Sequence, residues 1–183
     1  MSLLLFLDAD SLPIKHREII IKRCIKENIE SYFVADRQLK DVLDSIKEHT
    51  LILRKPYRGV LSNVEIRKIK SSIHMVVVEG GENAADDKIV ELANENNLCI
   101  THDIPLAARL IEKNVYVIDD RGNVLDKNNI RERLSIRDTQ KDFREMGIFN
   151  EKQKAFDAKT INKFANAFDK AITDLKKEKI TKK

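Results

Sequence analysis

Asp8 and Asp10 stand two residues apart, directly after the apolar run of residues 3–7. On an extended segment, positions i and i+2 project the same way, so two carboxylates face one side. Asp86 precedes Ile89, Val90 and Ala93 by three, four and seven residues, which puts it on the face its helix buries. Asp87 is turned away from that face by about 100°. Asp103 follows another apolar run, residues 98–101. A carboxylate on a buried face needs a cation or hydrogen bonds. Three such acids after apolar runs and one on a buried helix face predict a hard divalent ion, Mg²⁺ or Mn²⁺, taken by oxygen ligands. Carboxylates that hold such an ion can serve water activation and leaving-oxygen stabilisation at a phosphodiester.

Each acid also has an ordinary structural reading. Asp103 stands two residues before Pro105 and suits a helix cap as well as a ligand. Asp86 suits a first-turn partner of the helix dipole. Asp10 or Ser11 suits a cap ahead of Pro13. Further candidates for substrate contact are Ser11, Thr101 and His102, and the positive groups Arg121, Arg131 and Arg133. Exposed charge on a helix is the plain alternative for the arginines, and a surface position for the histidine.

The elements that would position these groups can be read from periodicity. Residues 3–7 form an unbroken apolar run, as a strand buried on both faces does. Similar short runs at 32–35, 73–78, 98–101 and 115–118 predict strands, and residues 51–53 predict another. Between them, Ile14, Ile21 and Ile25, then Leu39, Val42, Leu43 and Ile46, then Leu106, Leu110 and Ile111 keep helical spacing. This alternation predicts an α/β fold: three layers, with a mostly parallel sheet flanked by helices. Ligands of such sheets sit beyond the carboxyl ends of the strands, where Asp8, Asp10 and Asp103 fall. Residues 54–72 are basic and read as an insertion or flap. Residues 129–146 and a stretch around Phe164, Phe168, Ile172 and Leu175 predict two last helices. The expected organisation is an α/β domain over 1–147 and a C-terminal helix with a lysine-rich tail over 148–183.

Composition narrows the class. The chain has 183 residues, 42% hydrophobic and 35% charged, with a net charge of +4. That bias permits an acidic partner without demanding one. Cys24 and Cys99 each lie in an apolar run and read as buried hydrophobes, which fits a reducing compartment. Residues 3–7 are too few to span a membrane and lack the flanks of a signal peptide. A cytoplasmic protein with no membrane partner is the expectation.

The segments Asp8-Ala9-Asp10 with Pro13, Ala85-Asp86, Ile100-Thr101-His102-Asp103-Ile104-Pro105-Leu106-Ala107, Arg121-Gly122, Ile130-Arg131-Glu132-Arg133-Leu134 and Arg137-Asp138 together resemble the bacterial YaiI/YqxD family. The resemblance extends to about Gly147. It implies a PIN-like fold, related to metal-dependent ribonucleases, with Mg²⁺ or Mn²⁺ held by acids at the carboxyl edge of a parallel sheet. By position it implicates Asp8, Asp86 and Asp103 in catalysis, with Asp10 in support, and RNA as the partner. This chain departs from the family pattern at Leu12, where a Cys is usual, and at Asn83, where an Asp is common. The 36–72 region is also longer.

Three functions compete. The first is a divalent-metal-dependent nuclease acting on RNA. The second is a phosphatase of the haloacid-dehalogenase type, which also begins with a strand running into Asp-x-Asp and uses the first Asp as nucleophile. Leu12 stands where such enzymes carry a Thr. The third is a non-catalytic RNA- or ribosome-associated binding module.

Overall fold

The run that stops at Asp8 is the first strand, β1 (Leu4–Asp8), and it is central to a core. Leu5, Phe6 and Leu7 are almost fully buried, as an apolar run without alternation requires. The structure is a computed structural model. It describes residues 3–81, 83–148 and 156–181, apart from the side chains of 178–181. The chain divides into two compact units, Met1–Ile89 and Val90–Lys183.

In the first unit, β2 (Glu30–Ala35) runs parallel to β1, with Leu4 opposite Glu30 and Asp8 opposite Val34. β3 (Ile73–Val77) runs parallel to β2, so the strand order is β3-β2-β1. Parallel neighbours need crossovers, supplied by helices. α1 (Ile14–Glu27) joins β1 to β2 and buries Ile20, Ile21 and Cys24. α2 (Lys40–Arg54) follows β2, packs on α1 and reaches β3. α4 (Ala84–Leu92) opens after β3 and turns Ile89 into the core.

In the second unit, β4 (Leu98–Ile100) and β5 (Tyr116–Ile118) are parallel, joined through α5 (Ile104–Glu112). The two-residue β6 (Val124–Leu125) turns back antiparallel onto β5. α6 (Ile130–Glu145) buries only Ile130 among its side chains. α7 (Ala158–Thr181) buries Phe164, Phe168, Ala171, Ile172 and Leu175, the stripe expected of its spacing. The six strands are mostly parallel and helix-flanked, the α/β class read from the sequence. Both cysteines are buried. No helix among the described residues is long and apolar enough to cross a membrane.

Two expectations are corrected. Residues 51–53 are not a strand but the last turn of α2, with Leu51 56% and Ile52 59% exposed. No breaker separates them from Val42, so the helix continues until Pro56 removes an amide donor. Neither Asp10 nor Ser11 caps α1. Pro13 is its N-cap and no side chain closes it; the Ser11 hydroxyl instead donates to the Asp8 carbonyl at 3.0 Å. Within residues 54–72 lie a 3-10 turn (Lys55–Tyr57) and α3 (Asn63–Lys68). α3 is started by a reciprocal box in which Ser62 and Glu65 satisfy each other's amides.

Candidate functional site

Past the carboxyl ends of β1, β2 and β3 the first unit opens a cleft of about 280 Å³. Asp8, Asp10, Asp36, Val78, Ala84, Ala85, Asp86 and the backbone-rich stretch of Gly80, Gly81 and Asn83 line it. It is where a parallel sheet leaves room for a ligand. The chain continues the strand pairing into its wall: Ala9 N–H donates to the Val34 carbonyl and Val78 N–H to the Ala35 carbonyl. Asp8, at the end of β1, is 6% exposed. Asp86, in the first turn of α4, is half-buried, whereas Asp87 is exposed, as the helical spacing predicted.

Asp10 ties the β1 loop to the β2 loop. Its Oδ2 accepts the Asp36 backbone N–H at 2.8 Å. Its Oδ1 is closed off from solvent and receives no hydrogen bond. Arg37 Nη2 stands 3.1 Å from Oδ1 as an ion-pair partner, out of line for a hydrogen bond. The other branch of Arg37, Nη1, donates to Asp36 Oδ1 at 3.0 Å. Sequence reading had passed over Asp36. Its signal was the same as that of Asp8: an acid directly after an apolar strand.

Arg17, also missed, holds the loop from behind. It is nearly buried, and its Nη1 donates to the carbonyls of Ala9 at 3.2 Å and Leu12 at 2.5 Å. Its other two nitrogens grip the Asp41 carboxylate of α2, Nε to Oδ2 at 2.7 Å and Nη2 to Oδ1 at 3.1 Å. A two-point guanidinium–carboxylate pair is strong and directional. It fixes the backbone that carries Asp8 and Asp10.

The donor set of this cleft is hard oxygen, the chemistry Mg²⁺ and Mn²⁺ select. Asp10 Oδ1, buried and short of a donor, is the atom a cation would satisfy. Among the described residues no three acids, histidines or cysteines are gathered closely enough to cage a metal. These oxygen donors would suit an ion that keeps much of its water and meets one or two carboxylates, the habit of Mg²⁺. They do not fit an all-protein cage.

The other predicted residues lie in the second unit. Thr101, fully buried, accepts the Asp103 N–H through Oγ1 at 2.9 Å. Asp103 is the N-cap of α5, its Oδ1 accepting the Leu106 N–H at 2.7 Å. His102 Nδ1 lies 3.1 Å from Oδ1 of the buried Asp120. That hydrogen bond is the main cause that lifts the imidazole above its ordinary value; burial opposes it, and the charge of Asp119 adds while that of Arg121 subtracts. Asp119 is consumed by the β5–β6 turn: its Oδ1 accepts the Arg121 and Asn123 N–H groups at 2.9 and 2.7 Å. The Arg121 guanidinium lies 4.9 Å over the Phe156 ring. Arg131 and Arg133 are exposed on α6.

A family model described as "Uncharacterized BCR, YaiI/YqxD family" matches residues 58–174. The chain belongs to the YaiI/YqxD family. The matched span takes in Asp86 and Asp103 and begins after Asp8, Asp10 and Asp36. Curated relatives extend the likeness over nearly the whole chain. A UPF0178 protein of Desulfotalea psychrophila is 33% identical over 94% of this chain and 99% of its own. One of Pseudomonas aeruginosa is 30% identical over 95% of this chain and 92% of its own. One of Treponema denticola is 31% identical over 96% and 95%. No solved structure matches the chain.

Proposed function

We propose that this YaiI/YqxD protein is a divalent-metal-dependent nuclease acting on RNA, with the aspartate cleft of the first unit as its reactive site. One observation carries the reading: Asp8, Asp10, Asp36 and Asp86, from three separate stretches of chain, line a single cleft at the carboxyl ends of parallel strands. Acids packed this way repel one another, and their arrangement makes sense around a positive ligand. The PIN-like fold that the YaiI/YqxD resemblance implies, related to metal-dependent ribonucleases, supports RNA as the substrate class.

One or two carboxylates of the set Asp8, Asp10 and Asp86 would meet a hydrated Mg²⁺ or Mn²⁺. Such an ion supplies, when bound, Lewis-acid stabilisation of phosphate charge and a more acidic water. The rest is done by the chain. Asp8 and Asp86 set the negative field of the cleft, and Asp10 locks the two loops that carry it. At Gly80 and Gly81 there is open space where a side chain would begin, so a phosphodiester can approach the backbone closely. The exposed Arg131 and Arg133 are proposed phosphate contacts, which position a strand without reading its sequence.

The test is cleavage of single-stranded RNA with Mn²⁺, comparing wild type with Asp8→Asn. The expected result is a loss of roughly a hundredfold or more, since several kcal/mol of transition-state stabilisation would go with the charge. Equal rates in the two proteins would end the proposal. The phosphatase reading gains nothing from Leu12, which is buried at 2% exposure and offers no hydroxyl. The binding-module reading is the other outcome of this test. RNA binding that needs no metal, with no cleavage, would establish it instead.

A further inference from the structure

Arg37 is a basic side chain whose ion pairs join two of the cleft acids. It reaches Asp10 Oδ1 at 3.1 Å with one nitrogen and Asp36 Oδ1 at 3.0 Å with another. Its side chain is 64% exposed, and these two carboxylates are its ion-pair partners. Asp10 Oδ1 is a buried cleft oxygen with no hydrogen bond. We propose that Arg37 is the cleft's internal counter-ion, which must leave Asp10 before the carboxylates can take a divalent cation. This inference rests on the proposed reading of the cleft as a cation site.

The physical case is competition for one anion. A guanidinium and a hydrated divalent ion cannot both sit on Asp10 Oδ1. Of the two partners, Asp36 is exposed and Asp10 is half-buried, so the Asp10 contact is the stronger hold. Exposed pairs of this kind are worth up to about 1 kcal/mol, a factor of about five in binding. That is enough to tune cation affinity and too little to prevent it. Arg37 follows Asp36 in sequence, so its swing needs only side-chain rotation and leaves the Asp36 N–H on Asp10 Oδ2. Once released, the guanidinium remains at the cleft's rim, with donors suited to a phosphate. The same side chain would then restrain the empty cleft and serve the filled one.

The experiment is Mn²⁺ titration of the full chain by calorimetry and by the electron-spin signal of free Mn²⁺. Wild type is compared with Arg37→Gln, Arg37→Lys and Asp10→Asn. Arg37→Gln should bind Mn²⁺ about fivefold more tightly, Arg37→Lys should stay near wild type, and Asp10→Asn should bind more weakly. The advantage of the Gln variant over wild type should shrink as NaCl is raised, because the pair it removes is screened. Equal Mn²⁺ affinity in wild type and Arg37→Gln would overturn the counter-ion role and leave the cation site standing. No Mn²⁺ binding by any of the four proteins would overturn both.

Discussion

Two strand edges in this chain carry acids in the same sequence setting and use them differently. After β1 and β2, Asp10 reaches across to another loop, and one of its oxygens is left without a hydrogen bond. After β4 and β5, Asp103 and Asp119 turn back on their own backbone and accept amides two to four residues ahead. Local acceptance satisfies a carboxylate; reaching across leaves part of its capacity for something else. An aspartate after an apolar strand is therefore ambiguous until its hydrogen bonds are counted.

Substitution at Asp103 presses hardest on that contrast after Asp8→Asn, whose effect should be the largest. Asp103→Asn keeps a capping oxygen, and cleavage and melting should both stay near wild type if capping is its whole role. A hundredfold loss of cleavage with unchanged melting would instead join Asp103 to the catalytic set.

The glycines of the two edges come next. A Cβ at Gly122 would stand 2.8 Å from the Lys163 carbonyl oxygen and 2.9 Å from the Phe164 Cα, at a φ of +74°. Backbone atoms of α7 cannot yield as a side-chain tip can. Gly122→Ala should cost about 2–4 kcal/mol, read as a fall in the denaturant midpoint. Gly80→Ala, at a φ of +44° with open space around it, should cost about 1 kcal/mol from backbone strain alone. Equal losses would mean that the close approach of α7 to the turn contributes nothing.

Similar in size is Asp103→Ala, which removes the α5 cap and should cost about 1 kcal/mol in thermal unfolding. The smallest effect belongs to His102. Asp120 raises its pKa above the unfolded value of 6.5, so its stabilisation is complete below that pH and disappears as pH rises through the folded value. The ring is 42% exposed, so screening keeps the effect small. In Asp120→Asn the His102 titration followed by NMR should move down; an unmoved titration would show that the pair does not hold the ring. His49 runs the opposite way. Burial beside Ser71 lowers its pKa, and its contribution is complete above about 6.5 and lost as pH falls toward the folded value.

Much of the fold could be read because its signals are local. Residues 3–7 and 98–100 have strand composition and no alternation, and Phe164, Phe168, Ile172 and Leu175 keep a helical stripe. Residues 51–53 misled because a three-residue apolar run fits a buried strand and a helix end equally well. α3 was announced by Ser62 and Glu65 at capping-box spacing, a local signal that the basic residues around it obscured. Of the cleft, Asp8, Asp10 and Asp86 were legible from spacing. Asp36 carries the same signal, an acid after an apolar strand; Arg37 and Arg17 carry none, because their roles arise from the β1–β2 register and from α1 folding back on the loop.

The grip of Arg17 on two loop carbonyls and on Asp41 means that the shape of the acidic mouth is stored in helices with no reactive group of their own. Rigidity supplied from the rear lowers the ordering entropy that any guest must overcome on arrival. Drift at Asp41, a residue outside the lining, would then register as a looser grip on ligands while every acid of the mouth stayed intact.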